Sequence, residues 1–217
     1  MSDILDYKKA FKAYYQPSTK PGIIDVPEMT FIAVDGSGNT NTSEEYLTAL
    51  EMLYGLSYTI KISKMSGTQP PGYYEYTVFP LEGLWWFEED QPHSFDGLSV
   101  ADKNALLWRS MIHQPKFVDE AVLETAMASL AKKKPYLDLS KAVLYKFQED
   151  LCVQCMHIGP YDAEPATVAA MHQFALDRGY VQDLSGTRRH HEIYLGDPRR
   201  TAPEKLKTVI RHPIRPA

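Results

Sequence analysis

The chain has 217 residues with a formal charge of −5, 44% hydrophobic and 24% charged, which excludes a fibrous repeat and a disordered chain and argues against nucleic acid as a partner. No apolar run approaches the ~20 residues of a membrane helix, and the charged, amphipathic start predicts a cytoplasmic protein without a membrane partner. Aromatic residues make up 12% and many stand beside acidic or polar neighbours, a composition compatible with a ligand cavity.

From Asp6 to Tyr15 the apolar residues Tyr7, Ala10, Phe11 and Tyr14 have helical spacing, and Pro17 and Pro21 end the segment, which predicts an arm packed on the main body. Phe31-Ile32-Ala33-Val34 reads as a strand and Asp35-Gly36-Ser37-Gly38-Asn39 as a loop. Thr42 with Glu45 three residues later predicts a capping box, followed by a helix with Tyr46, Leu47, Leu50, Leu53 and Tyr54 on one face. Two strands are expected next, Tyr73–Phe79 and a short one around Leu84-Trp85-Trp86-Phe87.

Residues from about Ser99 to Lys134 carry two helical patterns, one with Ala105, Leu106 and Trp108 and one with Val118, Val122, Leu123, Ala126 and Leu130, separated by Pro115. They are expected to form a helical connector. Beyond it the earlier order returns. A strand over Leu151–Ile158 breaks at Gly159-Pro160, a helix starts near Pro165 with Val168, Met171 and Ala175 on one face, and Gly179 stops it. The strand His190–Leu195, a turn at Gly196-Asp197-Pro198 and the strand Lys207–Arg211 complete it.

The expected fold is therefore α+β: two pseudo-symmetric β-α-β-β halves, residues 22–92 and 141–217, share an antiparallel sheet cleft, with residues 93–140 as the connector of one domain spanning 1–217. In this alignment Glu75 falls on the strand matching that of Glu192.

Cys152 and Cys155 have C-x-x-C spacing, but strand alternation sends them to opposite faces, so buried thiols are expected rather than redox chemistry or zinc. His190 and His191 diverge in the same way, and no metal or other cofactor is expected. No G-x-S-x-G elbow or complete phosphate loop is present. Alternation puts His190, Glu192 and Tyr194 on one strand face. A carboxylate there pairs with a base, faces solvent or lines a cavity. The aromatic residues of the first half favour the cavity, suited to a flat, hydrophobic ligand, with ring faces and a carboxylate that also accommodate a cation.

The run from His190 to Leu206, with Asp25-Val26-Pro27-Glu28-Met29 and Leu81-Glu82-Gly83-Leu84-Trp85-Trp86, resembles stand-alone GyrI-like proteins over nearly the whole chain. The resemblance implies the duplicated fold, sometimes termed an SHS2-type module, of the effector-binding domains of multidrug-sensing regulators, and gives Glu192 the role of ligand-binding carboxylate. It further implies a hydrolase that opens cyclopropanoid genotoxins, with Glu192 orienting or deprotonating water. Tyr74, Tyr145 and Tyr194 are the candidate proton donors, of which Tyr145 is set beside Glu192 as catalytic. Tyr74, Tyr76, Trp85, Trp86, Trp108, His157 and Tyr194 are the expected ligand-binding residues. A non-catalytic module binding cationic aromatic drugs and a topoisomerase-interacting protein are the competing readings.

Overall fold

The computed structural model describes residues 4–88 and 103–217. Its centre is one antiparallel sheet whose strands are β1 Gly22–Val26, β2 Met29–Ser37, β3 Leu81–Trp86, β4 Leu107–His113, β5 Val143–Phe147, β6 Asp150–Ile158, β7 Tyr180–Gln182, β8 His190–Tyr194 and β9 Lys207–Pro216. The strands run in the order β1-β6-β9-β8-β3-β4-β2-β5, with β7 added on β9. The two halves meet at the β3–β8 pairing, and β6-β9-β8 on one side mirrors β2-β4-β3 on the other.

Beyond this mirror, β1 pairs with β6 and β5 pairs with β2, although β1 runs straight into β2 and β5 into β6. The pairs Val26↔Asp150 and Met29↔Phe147 keep one register through the bend. Residues 22–37 and 143–158 thus form one bent two-stranded ribbon that curls the sheet back toward itself. Asp150, at the bend, has φ 58, a conformation that non-glycine residues seldom adopt.

Three longer helices cover one face: α3 Glu44–Lys61, α4 Glu120–Lys133 and α5 Glu164–Leu176. The N-terminal arm, folded as the short helices α1 Tyr7–Ala10 and α2 Lys12–Tyr15, closes the other. Ser43 rather than Thr42 caps α3, accepting from the Tyr46 amide, because Thr42 is held by the Asn39 carbonyl. The helix buries Ala49, Met52, Leu53, Leu56 and Ile60 and leaves Leu47 exposed. Its apolar residues extend around more than one face, so periodicity alone selected a stripe displaced from the buried one. In α4, Asp119 caps the start, while Lys132 and Lys133 lie at the negative end of the helix dipole.

Two expected elements differ. Tyr73–Phe79 is not a ladder strand: it makes a single bridge, Leu5↔Tyr76, while Tyr73, Tyr74 and Tyr76 cluster around Phe117. Strand β3 is already paired on both sides, leaving this segment no neighbour in the main sheet. The stretch around Trp108 expected to be helical is strand β4, central and buried on both faces. Such a run lacks the alternation that marks a half-exposed strand. The part of that pattern at residues 99–102 lies outside the described residues.

Two glycines accept tryptophan against the sheet. A Cβ on Gly36 would meet the Trp108 ring at 2.2 Å, and one on Gly83 would meet the Trp85 indole at 2.8 Å. Gly36→Ala is expected to destabilise the protein by about 1–3 kcal/mol, since the fully buried Trp108 has nowhere to move. A urea titration reads this directly, and a change below 0.5 kcal/mol would contradict the packing described (about the scatter between independent surface sites).

Candidate functional site

The candidate site lies on the helix-covered face, above the junction of the halves. Ser110, Gly83 and Glu192 form a row across β4, β3 and β8. Gly83 contributes no side chain, and the Trp85 indole occupies the space where its Cβ would stand. Tyr46 from α3 packs near Trp85 and edge-on to Trp108, with centroids 6.3 and 5.1 Å apart. Opposite, Tyr161 meets Tyr194 edge-on at 5.8 Å. Among the described residues, the indole nitrogens of Trp85 and Trp108 on this face are buried without a hydrogen-bond partner, whereas Ser110 lies within bonding reach of Tyr46, and Glu164 of Thr208 and Glu192. Groups of this kind are what a polar ligand or water satisfies.

Glu192 is held at both oxygens. His190 Nε2 lies 2.7 Å from Oε1, and the Tyr194 hydroxyl donates to Oε2 at 2.6 Å. Burial opposes its charge, yet the His190 and Tyr194 hydrogen bonds hold it below the usual carboxylate range. Glu164, the first residue of α5, is driven the other way. Burial, reinforced by the charge of Glu192, pushes it up to about 10. Their mutual repulsion favours one proton held between the two carboxyls, with Glu192 drawn toward the charged form and Glu164 toward the neutral one, an arrangement suited to acid–base chemistry. Burial also keeps Tyr46, Tyr161 and Tyr194 protonated, as donors.

Of the expected site residues, the structure brings Glu192, Tyr194 and Trp85 together, with Trp108 behind them. Tyr145 does not join them. It lies on β5 at the far end of the sheet, opposite Phe31, stacked on Phe147 and under the Arg109 guanidinium at 4.1 Å. The alternation that puts Glu192 on the helix side puts Phe31 and Tyr145 on the other. Trp86 likewise faces away, beside Arg189. Tyr74 and Tyr76 belong to the Phe117 cluster, where Tyr76 also lies under Lys61. His157 bonds Thr167 and the Pro160 carbonyl, fixing the start of α5.

Glu75 is tied to Lys61, Lys64 and Tyr73, and the register partner of Glu192 is Gly83. The two glutamates are thus not equivalent. Glu164, Tyr161, Ser110 and Thr208 were missed. Pro165 marked the helix start, but a carboxylate just before it reads as a solvated group at a helix N-terminus.

Behind the strand, His191 points into the opposite face, where a second polar set is fully buried. Its Nδ1 faces both Glu149 oxygens at 3.1 and 3.0 Å and its Nε2 faces Glu82 at 3.1 Å. Both ring nitrogens meet carboxylates, so the ring is an imidazolium. Desolvation opposes this, but Glu149 and Glu82 raise its pKa to about 9. Arg211 bonds Glu149 at 2.8 Å, and Tyr15 of the arm donates to Glu82 at 2.8 Å. Both cysteines are buried and free, and among the described residues no cluster of His, Cys, Asp or Glu is arranged to hold a metal. No helix among them is long and apolar enough to cross a membrane.

Residues 112–215 match the model of the GyrI-like small molecule binding domain. The chain is similar to the crystal structure of a hydrolase from Listeria innocua, with 45% identity, a TM-score of 0.87 and coverage of 97% of this chain and 100% of that one. A second similar structure, of an uncharacterized conserved protein from Listeria innocua, shares 47% identity with a TM-score of 0.90 and the same coverage. The EcmrR C-terminal domain shares the fold, at 12% identity and a TM-score of 0.51, over 91% of this chain and 98% of that one. No curated protein matches. With its β3–β8 cleft and these likenesses, the chain belongs to the GyrI-like small molecule binding domain family.

Proposed function

We propose that the cleft binds bulky, flat aromatic molecules and hydrolyses cyclopropanoid genotoxins by attack of water on the strained ring. The observation that carries this reading is the buried pair of carboxyls, with Glu192 held at both oxygens by His190 and Tyr194 and Glu164 pushed up to about 10 by burial and the charge of Glu192. Glu192 takes a proton from water as the water oxygen bonds to a cyclopropane carbon. The ring carbon–carbon bond breaks, and its electrons pass into the conjugated ring system as a phenolate, which receives the proton of Glu164. Tyr46 supplies a further hydroxyl donor, Tyr194 holds Glu192 in place, and Trp85 supplies apolar wall. The similar Listeria innocua protein described as a hydrolase supports hydrolysis in general.

The test is to incubate the purified protein with a spiro-cyclopropane alkylator and follow the products by chromatography. Ring-opened water adduct formed catalytically is the expected result. Tight binding without turnover overturns the hydrolase reading and leaves a module that binds aromatic drugs, with Glu192 as countercharge for a cation.

A further inference from the structure

A line of imidazoles leads away from Glu192 beneath the cleft. His190 Nδ1 bonds His212 Nε2. His212 Nδ1 in turn lies 2.8 Å from His172 Nε2 and 3.1 Å from Gln182 Nε2. His190 and His212 are buried, His172 is half-buried on α5, and Gln182 is exposed on β7. The line therefore runs from Glu192 to the half-buried His172 between α5 and β9.

The hydrogen bonds also have a direction. An amide nitrogen only donates, so the contact from Gln182 makes His212 Nδ1 an acceptor and places its proton on Nε2. His190 then accepts at Nδ1 and donates from Nε2 to Glu192. Burial holds His212 well below the ordinary histidine value, in keeping with a neutral ring. Every N–H in the line points toward Glu192.

We propose that His190, His212 and His172 form a proton relay connecting Glu192 with solvent on the side of the sheet edge, away from the cleft mouth. The inference rests on the reading of Glu192 as a group that takes and gives a proton. A flat ligand lying over the cleft covers the Glu192 carboxylate, whose second oxygen is occupied by Tyr194. Exchange from that side stops while the ligand is bound, and the relay supplies another route.

One passage balances as follows. The N–H bond at His190 Nε2 breaks as an O–H forms on Glu192. The proton on His212 Nε2 moves to His190 Nδ1, that on His172 Nε2 moves to His212 Nδ1, and solvent returns one proton to His172. All three rings have then changed tautomer, and the Gln182 amide turns to accept from His212. From that second arrangement the reverse passage carries a proton outward: Glu192 O–H gives its proton to His190 Nε2, His190 Nδ1–H to His212 Nε2, His212 Nδ1–H to His172 Nε2, and His172 returns one to solvent, which restores the first arrangement. The other titratable groups near the inner end are Glu164, Tyr194 and Tyr161, while His191 faces the opposite side of the strand.

The rings could equally do no more than satisfy one another's buried nitrogens, and proton exchange separates the two roles. In the full chain labelled with 15N-histidine, the ring N–H protons of His190 and His212 are expected to exchange with water at one shared rate. His172→Gln, at the half-buried end, is expected to slow both by about tenfold, and added imidazole is expected to restore the rate. Unchanged or faster exchange in the variant, as loosened packing would give, overturns the relay, as do unrelated rates in the unmodified protein. The measurement needs neither ligand nor turnover, so its outcome is independent of the hydrolase assay.

Discussion

Replacing Arg211 by Met is expected to lower the unfolding free energy by about 3–5 kcal/mol, the usual consequence of leaving one member of a buried ion pair without its partner. Arg211 and Glu149 are each 2% exposed at the side chain, and Arg211 also holds Gln154 and the Tyr14 carbonyl of the arm. The substitution thus removes a cation from a set of two carboxyls and two cations and cuts one of the ties that hold the arm to the sheet. Burial raises the Glu149 pKa, but His191 and Arg211 overcome it and hold it at about 2.

The linkage to pH has a definite sign at each end. Glu149, depressed in the folded protein, contributes stability that is present above its unfolded value near 4.5 and is lost as pH falls through about 2. His191, raised in the folded protein, contributes stability fully present below 6.5 and lost as pH climbs through about 9. In Arg211→Met the Glu149 pKa moves upward, so acid unfolding begins at higher pH, and His191 is left as the only cation beside the two carboxyls. The alkaline fall should therefore be steeper in the variant. Urea titrations at about pH 3, 7 and 9 measure both limbs, with values on either side of the unperturbed carboxylate and histidine ranges. Equal stability of variant and parent at all three would mean that the buried set is not ionised as described.

The second large effect concerns the cleft. Glu192→Gln keeps the size of the side chain but puts a donating NH2 in place of one accepting oxygen and removes the base, and turnover of a cyclopropanoid substrate is expected to fall by about 10²–10⁴-fold. Affinity for a neutral aromatic ligand should change little, whereas affinity for a cationic one should drop with the lost countercharge. The substitution also removes the charge that helps keep Glu164 protonated, so Glu164 gains ionised character at neutral pH. Any remaining turnover is then expected to vanish in the double variant with Glu164→Gln. Full turnover in Glu192→Gln would remove Glu192 as the base while leaving the hydrolytic activity to other groups.

The sequence was most informative where alternation was undisturbed. Strands β6, β8 and β9 and helix α5 lie where periodicity and the turn residues Gly159, Gly179 and Gly196 put them, and the shared face of His190, Glu192 and Tyr194 follows from strand parity alone. Parity did not extend to Tyr145, because which face of β5 matches which face of β8 depends on three intervening strands. Strand β4 was obscured by burial on both sides. Glu164 could not be recognised locally, since its protonation follows from contact with Glu192 twenty-eight positions later in the chain. The buried set of Glu82, Glu149, His191 and Arg211 joins four strand regions, and no local pattern encodes such a meeting.

The bent ribbon of residues 22–37 and 143–158 has a consequence for how the fold arose. Each half delivers its leading strand to the rim of the other, so neither half alone carries the strand that finishes its own sheet. Fragments cut at Lys116 should accordingly fold together when mixed and fail to fold apart; independent folding of either would contradict this. An ancestor holding a single copy of the unit would have completed its rim only by trading arms with a twin, and fusion of two copies would then have made that embrace permanent.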